Sequence, residues 1–228
     1  MNRADSLLAG FFHRRECIVP TWRGWLVLIA IIATAATIAL RGAYSFLAVT
    51  DRVPGNGGAL VVEGWGPDFF MADAIKEYRE NHYGEVFVTG GPIEKGAMFA
   101  KYGTYAEFAA ASLEAMGLAT EHLHTIPAQE VRRDRTYASA ISLKKWLRDH
   151  NEKISTVTLM SLGPHSRRSR LLFEKAFGSD VKIGVIAVDD GEIDPQRWWT
   201  TSQGFRGVTG EMIAYIYARF LFHPPKDE

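Results

Sequence analysis

The sequence predicts an α/β protein: a Rossmann-like, doubly wound, mainly parallel sheet with helices on both faces, preceded by one N-terminal transmembrane helix. Three observations lead there. Residues 24–40 form an apolar run without a charge. Beyond residue 51, short apolar runs alternate with amphipathic stretches of about 10 to 15 residues, the pattern of strand–helix–strand units. Between the two regimes lies a Gly/Pro-rich hinge, VPGNGG.

The apolar run reads GWLVLIAIIATAATIAL between Arg23 and Arg41. With Trp22 and a snorkelling Arg23 it makes a helix of roughly 28 Å, enough for a hydrocarbon core. Trp22, Trp25 and Tyr44 stand where interfacial aromatic belts lie, and amphipathic spacing, the mark of a buried core helix, is missing. Arg3, Arg14, Arg15 and Arg23 precede the run, against Arg41 and Arg52 just after it. The positive-inside rule then predicts a single-pass protein of the (inner) cell membrane, N-terminus cytoplasmic, C-terminal domain periplasmic or extracellular. Small residues Ala33, Ala35 and Ala36 keep a cleaved signal peptide as the rival, although the length and late start of the run favour an uncleaved signal anchor. The expected organisation is a cytoplasmic tail over 1–21, an anchor region over 22–49, a linker over 50–58 and an exported domain over 59–228.

Charge supports that division. The chain balances 26 Lys and Arg against 26 Asp and Glu, which argues against a nucleic-acid binder. The balance is a sum over two regions: five basic and two acidic residues up to position 50, then 21 and 24 beyond it. The single cysteine, Cys17, excludes an intramolecular disulfide framework and leaves the exported part without a thiol.

Predicted strands cover 59–63, 86–89, 123–126, 157–161 and 183–188, with helices over 68–81, 104–116, 135–150, 165–177 and 208–222. Sheets of this kind bind ligands at the carboxyl ends of their strands, so the residues just after each strand matter most. After the first comes Glu63-Gly64-Trp65-Gly66-Pro67-Asp68, after the second Thr89-Gly90-Gly91-Pro92, after the third Arg132-Arg133-Asp134-Arg135-Thr136, and after the fourth Gly163-Pro164-His165-Ser166-Arg167-Arg168.

Several standard motifs fail on spacing. Gly64-x-Gly66-x-x-Phe69 lacks the third glycine of a dinucleotide fingerprint. Gly91 to Gly96 has P-loop glycine spacing, but Ala97-Met98 replaces the phosphate- and magnesium-binding pair, and no Gly-x-Ser-x-Gly elbow is present. His122-x-His124 has no third metal ligand nearby. The surviving pattern is chemistry for an anionic ligand. Arg135 and Arg168 would grip phosphate or carboxylate, with helix N–H groups beside them. His165 would act as acid/base or donor, with Glu63 or Asp68 as its acid partner. Gly64, Gly90 and Gly91 would admit close backbone approach, and Trp65 and Thr136 flank the crevice. Glu107 is a further ligand-binding candidate, and Glu107 and Glu211 lie on helices that allow either facing. Trp198-Trp199 reads as packing before a final helix so apolar that it also suits a surface resting on a membrane, while Arg219 argues against a second span.

These pieces, in order, resemble the SanA/YdcF/ElyC family of bacterial envelope proteins. The resemblance is carried by VVEGWG, Thr89-Gly90-Gly91, Tyr105-Ala106-Glu107, Asp134-Arg135-Thr136-Tyr137 with Ala140, and His165-Ser166-Arg167-Arg168. The chain departs from the family pattern at Glu63-Gly64-Trp65, where glycines are usual, and at Leu162-Gly163-Pro164. The resemblance implies a Rossmann-like fold, single-span anchoring, roles in envelope biogenesis or integrity, and an association with S-adenosylmethionine. The resulting expectation is a membrane-anchored envelope-biogenesis protein whose external domain binds, and in one version transforms, an anionic small molecule that is phosphorylated and in one form lipid-linked. Its partners would be the lipid bilayer, that small molecule and envelope-assembly proteins, with no nucleic acid and no metal. The alternatives are a non-catalytic scaffold of envelope assembly and a nucleotide- or S-adenosylmethionine-binding domain. The sequence names no cofactor and leaves turnover open.

Overall fold

The computed structural model describes residues 6–7, 12–13, 19–53, 58–93 and 101–224. Cys17, residues 54–57 of the hinge and residues 96–98 of the rejected phosphate loop lie outside them. The chain divides into two compact units, 1–41 and 42–228.

In the first unit, two short strands, β1 (Ser6–Leu7) and β2 (Phe12–His13), pair antiparallel. Helix α1 (Trp22–Leu47) begins there and has 26 residues, a rise of about 39 Å. It is the one helix among the described residues long and apolar enough to cross a membrane. Its residues from Leu26 to Leu40 present Leu, Ile and Val side chains outward, as a lipid-facing helix requires.

The second unit is the Rossmann-like domain. It runs β3 (Ala59–Glu63), α2 (Asp68–Glu80), β4 (Glu85–Gly90), α3 (Tyr105–Ala115), β5 (Leu123–Pro127), α4 (Arg135–Asp149), β6 (Thr156–Leu162), α5 (Ser166–Phe177), β7 (Lys182–Val188) and α6 (Ser202–Ile216), which passes into a π-turn over Tyr217–Leu221. Five parallel strands stand in the order β5-β4-β3-β6-β7. The first strand of the sheet in chain order, β3, is therefore central, and the chain winds away from it first to one side and then to the other.

Strand residues alternate faces, and the two cores result from that. Leu60, Val62, Val86 and Val88 meet Phe70, Met71 and Ala74 of α2 and Ala109 and Leu113 of α3. Ala59, Val61, Phe87, Leu159 and Val185 meet Leu143 of α4 and Leu172 and Phe173 of α5. Both faces are apolar, so the strands read as continuous hydrophobic runs, as buried parallel strands do. Helix ends are set locally. A capping box closes α3, with Thr104 Oγ1 accepting from Glu107 N and Glu107 Oε2 accepting from Thr104 N. Gly178 at φ 70° ends α5.

Two boundaries differ from the sequence reading. The domain starts at Gly42, not 59. Tyr44 and Leu47 are buried against Ile193, Trp198 and Val208, and Asp51 exchanges backbone hydrogen bonds of 2.8 and 2.9 Å with Val185. Arg52 bonds to the buried Glu77 at 3.2 Å. The stretch read as the end of an anchor region and a linker is thus partly an edge of the fold. Helix α6 starts at Ser202, before the expected 208, because Thr201 caps it by accepting from Gly204 N despite three glycines in its first nine residues. Trp198 packs in the small core beside it, 3% exposed.

Leu47 separates the two readings of residues 42–53. Leu47→Ala is expected to lower the stability of the domain by about 2–5 kcal/mol, measured by thermal unfolding of the detergent-solubilised full chain; a membrane-anchor residue would show no such loss.

Candidate functional site

A parallel sheet whose central neighbours send their helices to opposite faces opens a crevice between those strands at their carboxyl ends. Here the neighbours are β3 and β6, succeeded in the chain by Trp65 and His165, whose rings meet edge to face with centroids 5.1 Å apart. A cavity of about 630 Å³ opens at this point. Its walls come from the ends of β3 and β4, the start of α3, the loop at 132–135, the first turns of α4 and α5, and α6 with its π-turn.

Its floor is a cluster of four ionisable groups. Glu63, the last residue of β3, is 5% exposed, and its carboxylate accepts from Ser161 Oγ at 2.5 Å and Ser169 Oγ at 2.8 Å. His165 Nε2 lies 3.6 Å from Glu63 Oε1, outside hydrogen-bond reach. On the other side of the ring, Nδ1 lies 3.0 Å from Glu211 Oε1. Arg168 grips the same carboxylate with two parallel bonds, Nε to Oε2 at 2.8 Å and Nη2 to Oε1 at 3.1 Å, the bidentate geometry that a guanidinium favours. Arg168 Nη2 also approaches His165 Nδ1 at 2.9 Å.

The electrostatics decide the protonation of the ring. Burial alone would strip the proton from His165, but the charge of Glu63 and the hydrogen bond to Glu211 outweigh it, even against nearby Arg168, and lift its pKa to about 9. At neutral pH the ring is therefore an imidazolium, with Nδ1–H donating to Glu211. Burial would raise Glu211, yet its bonds to His165 and Arg168 hold it down at about 2. Arg168 stays charged: burial opposes its charge, but Glu211 more than compensates. Two anions and two cations balance, so the floor carries no net charge.

Two buried side-chain atoms among the described residues have no hydrogen-bond partner, Thr89 Oγ1 and His165 Nε2. Both residues line the cavity. Thr89, 1% exposed, sits in register with Glu63 on the adjacent strand. Buried polar groups normally have partners; His165 Nε2 has the Glu63 carboxylate as an ion-pair partner at 3.6 Å, and Thr89 Oγ1 has no hydrogen-bond partner. Above them the rim carries Arg132, Arg133 and Arg135. The left-handed turn at Asp134, φ 55°, brings that loop and the first turn of α4 to the cavity, and Asp134 provides α4 with no side-chain cap.

Of the residues that the sequence nominates, Glu63, Trp65, Gly90, Gly91, Arg135, Thr136, His165 and Arg168 line the cavity. Asp68, Gly64 and Glu107 do not. Asp68 opens α2, exposed, while Glu107 is held in the capping box of α3. A Cβ on Gly64 would stand 2.6 Å from Tyr105 O, and one on Gly90 would stand 2.7 Å from Ala106 N. These two glycines admit the backbone of α3 rather than a ligand; of the three nominated glycines, Gly91 faces open space. Arg168 is turned to Glu211 by two of its three nitrogens. Glu211, Thr89, Ser161 and Ser169 enter the site from the structure, with no role assigned to them by the sequence. His122 and His124 share Glu85, at 3.5 and 2.7 Å, and no group of three or more His, Cys, Asp or Glu among the described residues is placed to hold a metal.

No protein-family model matches the chain, and a search of curated proteins finds no significant match.

The cluster is expected to respond to pH and to substitution in two ways. The stabilisation from His165 is complete below pH 6.5 and is lost as pH rises through about 9; that from Glu211 is present above pH 4.5 and is lost as pH falls through about 2. In a series of melting temperatures against pH, His165→Gln is expected to remove the decline on the alkaline side and to shrink the decline on the acid side without abolishing it, since Arg168 still holds Glu211. Arg168→Ala, which strands Glu211, is expected to cost about 3–5 kcal/mol in thermal unfolding, and the paired exchange Arg168→Met with Glu211→Leu distinctly less.

Proposed function

We propose that the domain binds an anionic, phosphate-bearing small molecule at the β3–β6 crevice, in a membrane-anchored protein of cell-envelope biogenesis. The observation that carries the reading is a pair of buried polar atoms without a hydrogen bond, Thr89 Oγ1 and His165 Nε2, beneath a rim of three arginines.

The parts divide the work. Arg132, Arg133 and Arg135 supply positive charge at the mouth, and the first-turn N–H groups of α4 add to it. Glu63 repels a phosphate, so the anion sits at the rim and an uncharged hydroxyl or ring of the same molecule reaches the floor. There the Thr89 hydroxyl and the His165 Nε2–H meet it. With its pKa near 9, His165 holds a proton throughout the neutral range, so it acts as a donor and, toward a ligand with a leaving-group oxygen, as a general acid. Trp65 offers an apolar edge.

The envelope role and membership of the SanA/YdcF/ElyC-like family rest on the ordered motifs in the sequence. The cytoplasmic tail and external domain rest on the arginines flanking the apolar run. Envelope-assembly proteins are further partners under this proposal.

The test is a thermal-shift panel of nucleotides, S-adenosylmethionine, sugar phosphates and polyprenyl phosphates on the full chain in detergent. A true ligand at about 100 times its Kd adds about 2.7 kcal/mol of stability. Thr89→Val is expected to leave the ligand-free protein as stable as before, because it removes a hydroxyl with no partner, and to weaken binding about tenfold. Arg135→Ala is expected to weaken phosphate-bearing ligands selectively. A panel without a shift, or a shift that survives both substitutions, refutes the assignment.

A further inference from the structure

Helix α6 has two working faces. One lines the cavity through Glu211, Ala214 and Ala218. The other points away from the domain and is apolar: Ile213 is 69% exposed, Ile216 48% and Phe220 67%. Their spacing of 3, 4 and 7 residues makes a continuous stripe along the helix, and Leu221 extends it, 67% exposed. An unpaired stripe of this size is costly in water.

We propose that this face docks into the surface of the bilayer that α1 enters, as an interfacial amphipathic helix. The first argument is reach. The apolar run ends at Leu40, and Phe46, six residues on, is 42% exposed and packs edge to face on Tyr215 of α6 at 5.5 Å. Six residues span at most about 20 Å even when extended. Helix α6 is thus tied by a short stretch of chain to the end of the membrane-spanning segment.

The second argument is charge. From Ser202 to Leu221 the chain carries one acid, Glu211, and that acid is turned inward to Arg168. The exposed basic residues Arg206 and Arg219 lie on the same helix and its π-turn, and the Arg167 guanidinium stands 4.1 Å over the Phe46 ring. An apolar stripe fringed by cations and clear of acids is complementary to acyl chains beneath anionic headgroups. The outward side of α2 is the contrast, with Asp73, Lys76 and Glu80 exposed. A second copy of the chain on the same face would set Arg206 and Arg219 near their own counterparts, which favours lipid as the occupant.

The docking does not depend on the identity of the cavity's ligand. The test uses the full chain with Cys17→Ser and one new cysteine, from Phe220→Cys or from Asp73→Cys, each labelled with an environment-sensitive fluorophore. Reconstitution is into vesicles of phosphatidylcholine and phosphatidylglycerol, with and without nitroxide-bearing lipid. Docked residues lie about 5–10 Å into the headgroup and acyl boundary, so the probe at 220 is expected to be blue-shifted and strongly quenched and the probe at 73 unaffected. Leaving out phosphatidylglycerol, or adding Arg206→Gln with Arg219→Gln, is expected to weaken the quenching. Absence of quenching at 220, or equal quenching at both positions, overturns the proposal. A blue shift at 220 that comes without quenching, together with cross-linking between chains of the unlabelled Phe220→Cys protein, overturns it in favour of a second copy.

Discussion

The constraint on which the domain depends is the neutrality of four buried charges. Glu63 ends the central strand, His165 and Arg168 open the helix after its neighbour, and Glu211 belongs to the last helix. Any one of them buried alone would be costly, since an isolated ion inside a protein loses several kcal/mol of hydration. Together they cancel, and Ser161 and Ser169 complete the acceptor positions of Glu63. The crevice that a doubly wound sheet leaves open is here floored by this cluster. The same arrangement makes α6, an element outside the alternating pattern, an integral wall.

The cluster also divides the arginines into two kinds. Arg168 is structural in its geometry, locked on Glu211 by a fork that holds both side chains. The rim arginines at 132 and 133 stand on the loop before α4 and Arg135 on its first turn, and the left-handed turn at Asp134 joins the two. A site built this way separates two kinds of charge: the floor is neutral, while the arginines of the rim carry the positive charge at the mouth.

Much of this was legible in the chain. The five strands were readable within one residue of their ends, because β3, β4, β6 and β7 are largely buried, mainly apolar runs and β5 is a short stretch between two helical ones, and the strand ends pointed to the crevice. The parts that escaped did so for physical reasons. Residues 42–53 read as anchor and linker because their composition is mixed; only the contacts with Val185, Trp198 and Glu77, far along the chain, make them part of the fold. Glu211 lies 43 residues from Arg168, and no local pattern encodes that pairing. Glu107 is different. Thr104 and Glu107 stand at capping-box spacing, a signal present in the sequence that outranks a ligand role. Gly64 and Gly90 likewise read as room for a ligand, when the space is filled by the start of α3.

The position of Glu211 in the final helix has a consequence for biosynthesis. A ribosome delivers β3, α5 and the sheet well before α6, so the growing chain holds His165 and Arg168 facing Glu63 with one anion too few. Until the last helix arrives, the cavity also lacks a wall and the small core at Tyr44 and Leu47 lacks Val208. A product cut short before Ser202 would carry an uncompensated positive charge in its interior and an exposed apolar seam, features that expose a chain to aggregation. Synthesis through α6 is thereby a condition of the folded domain.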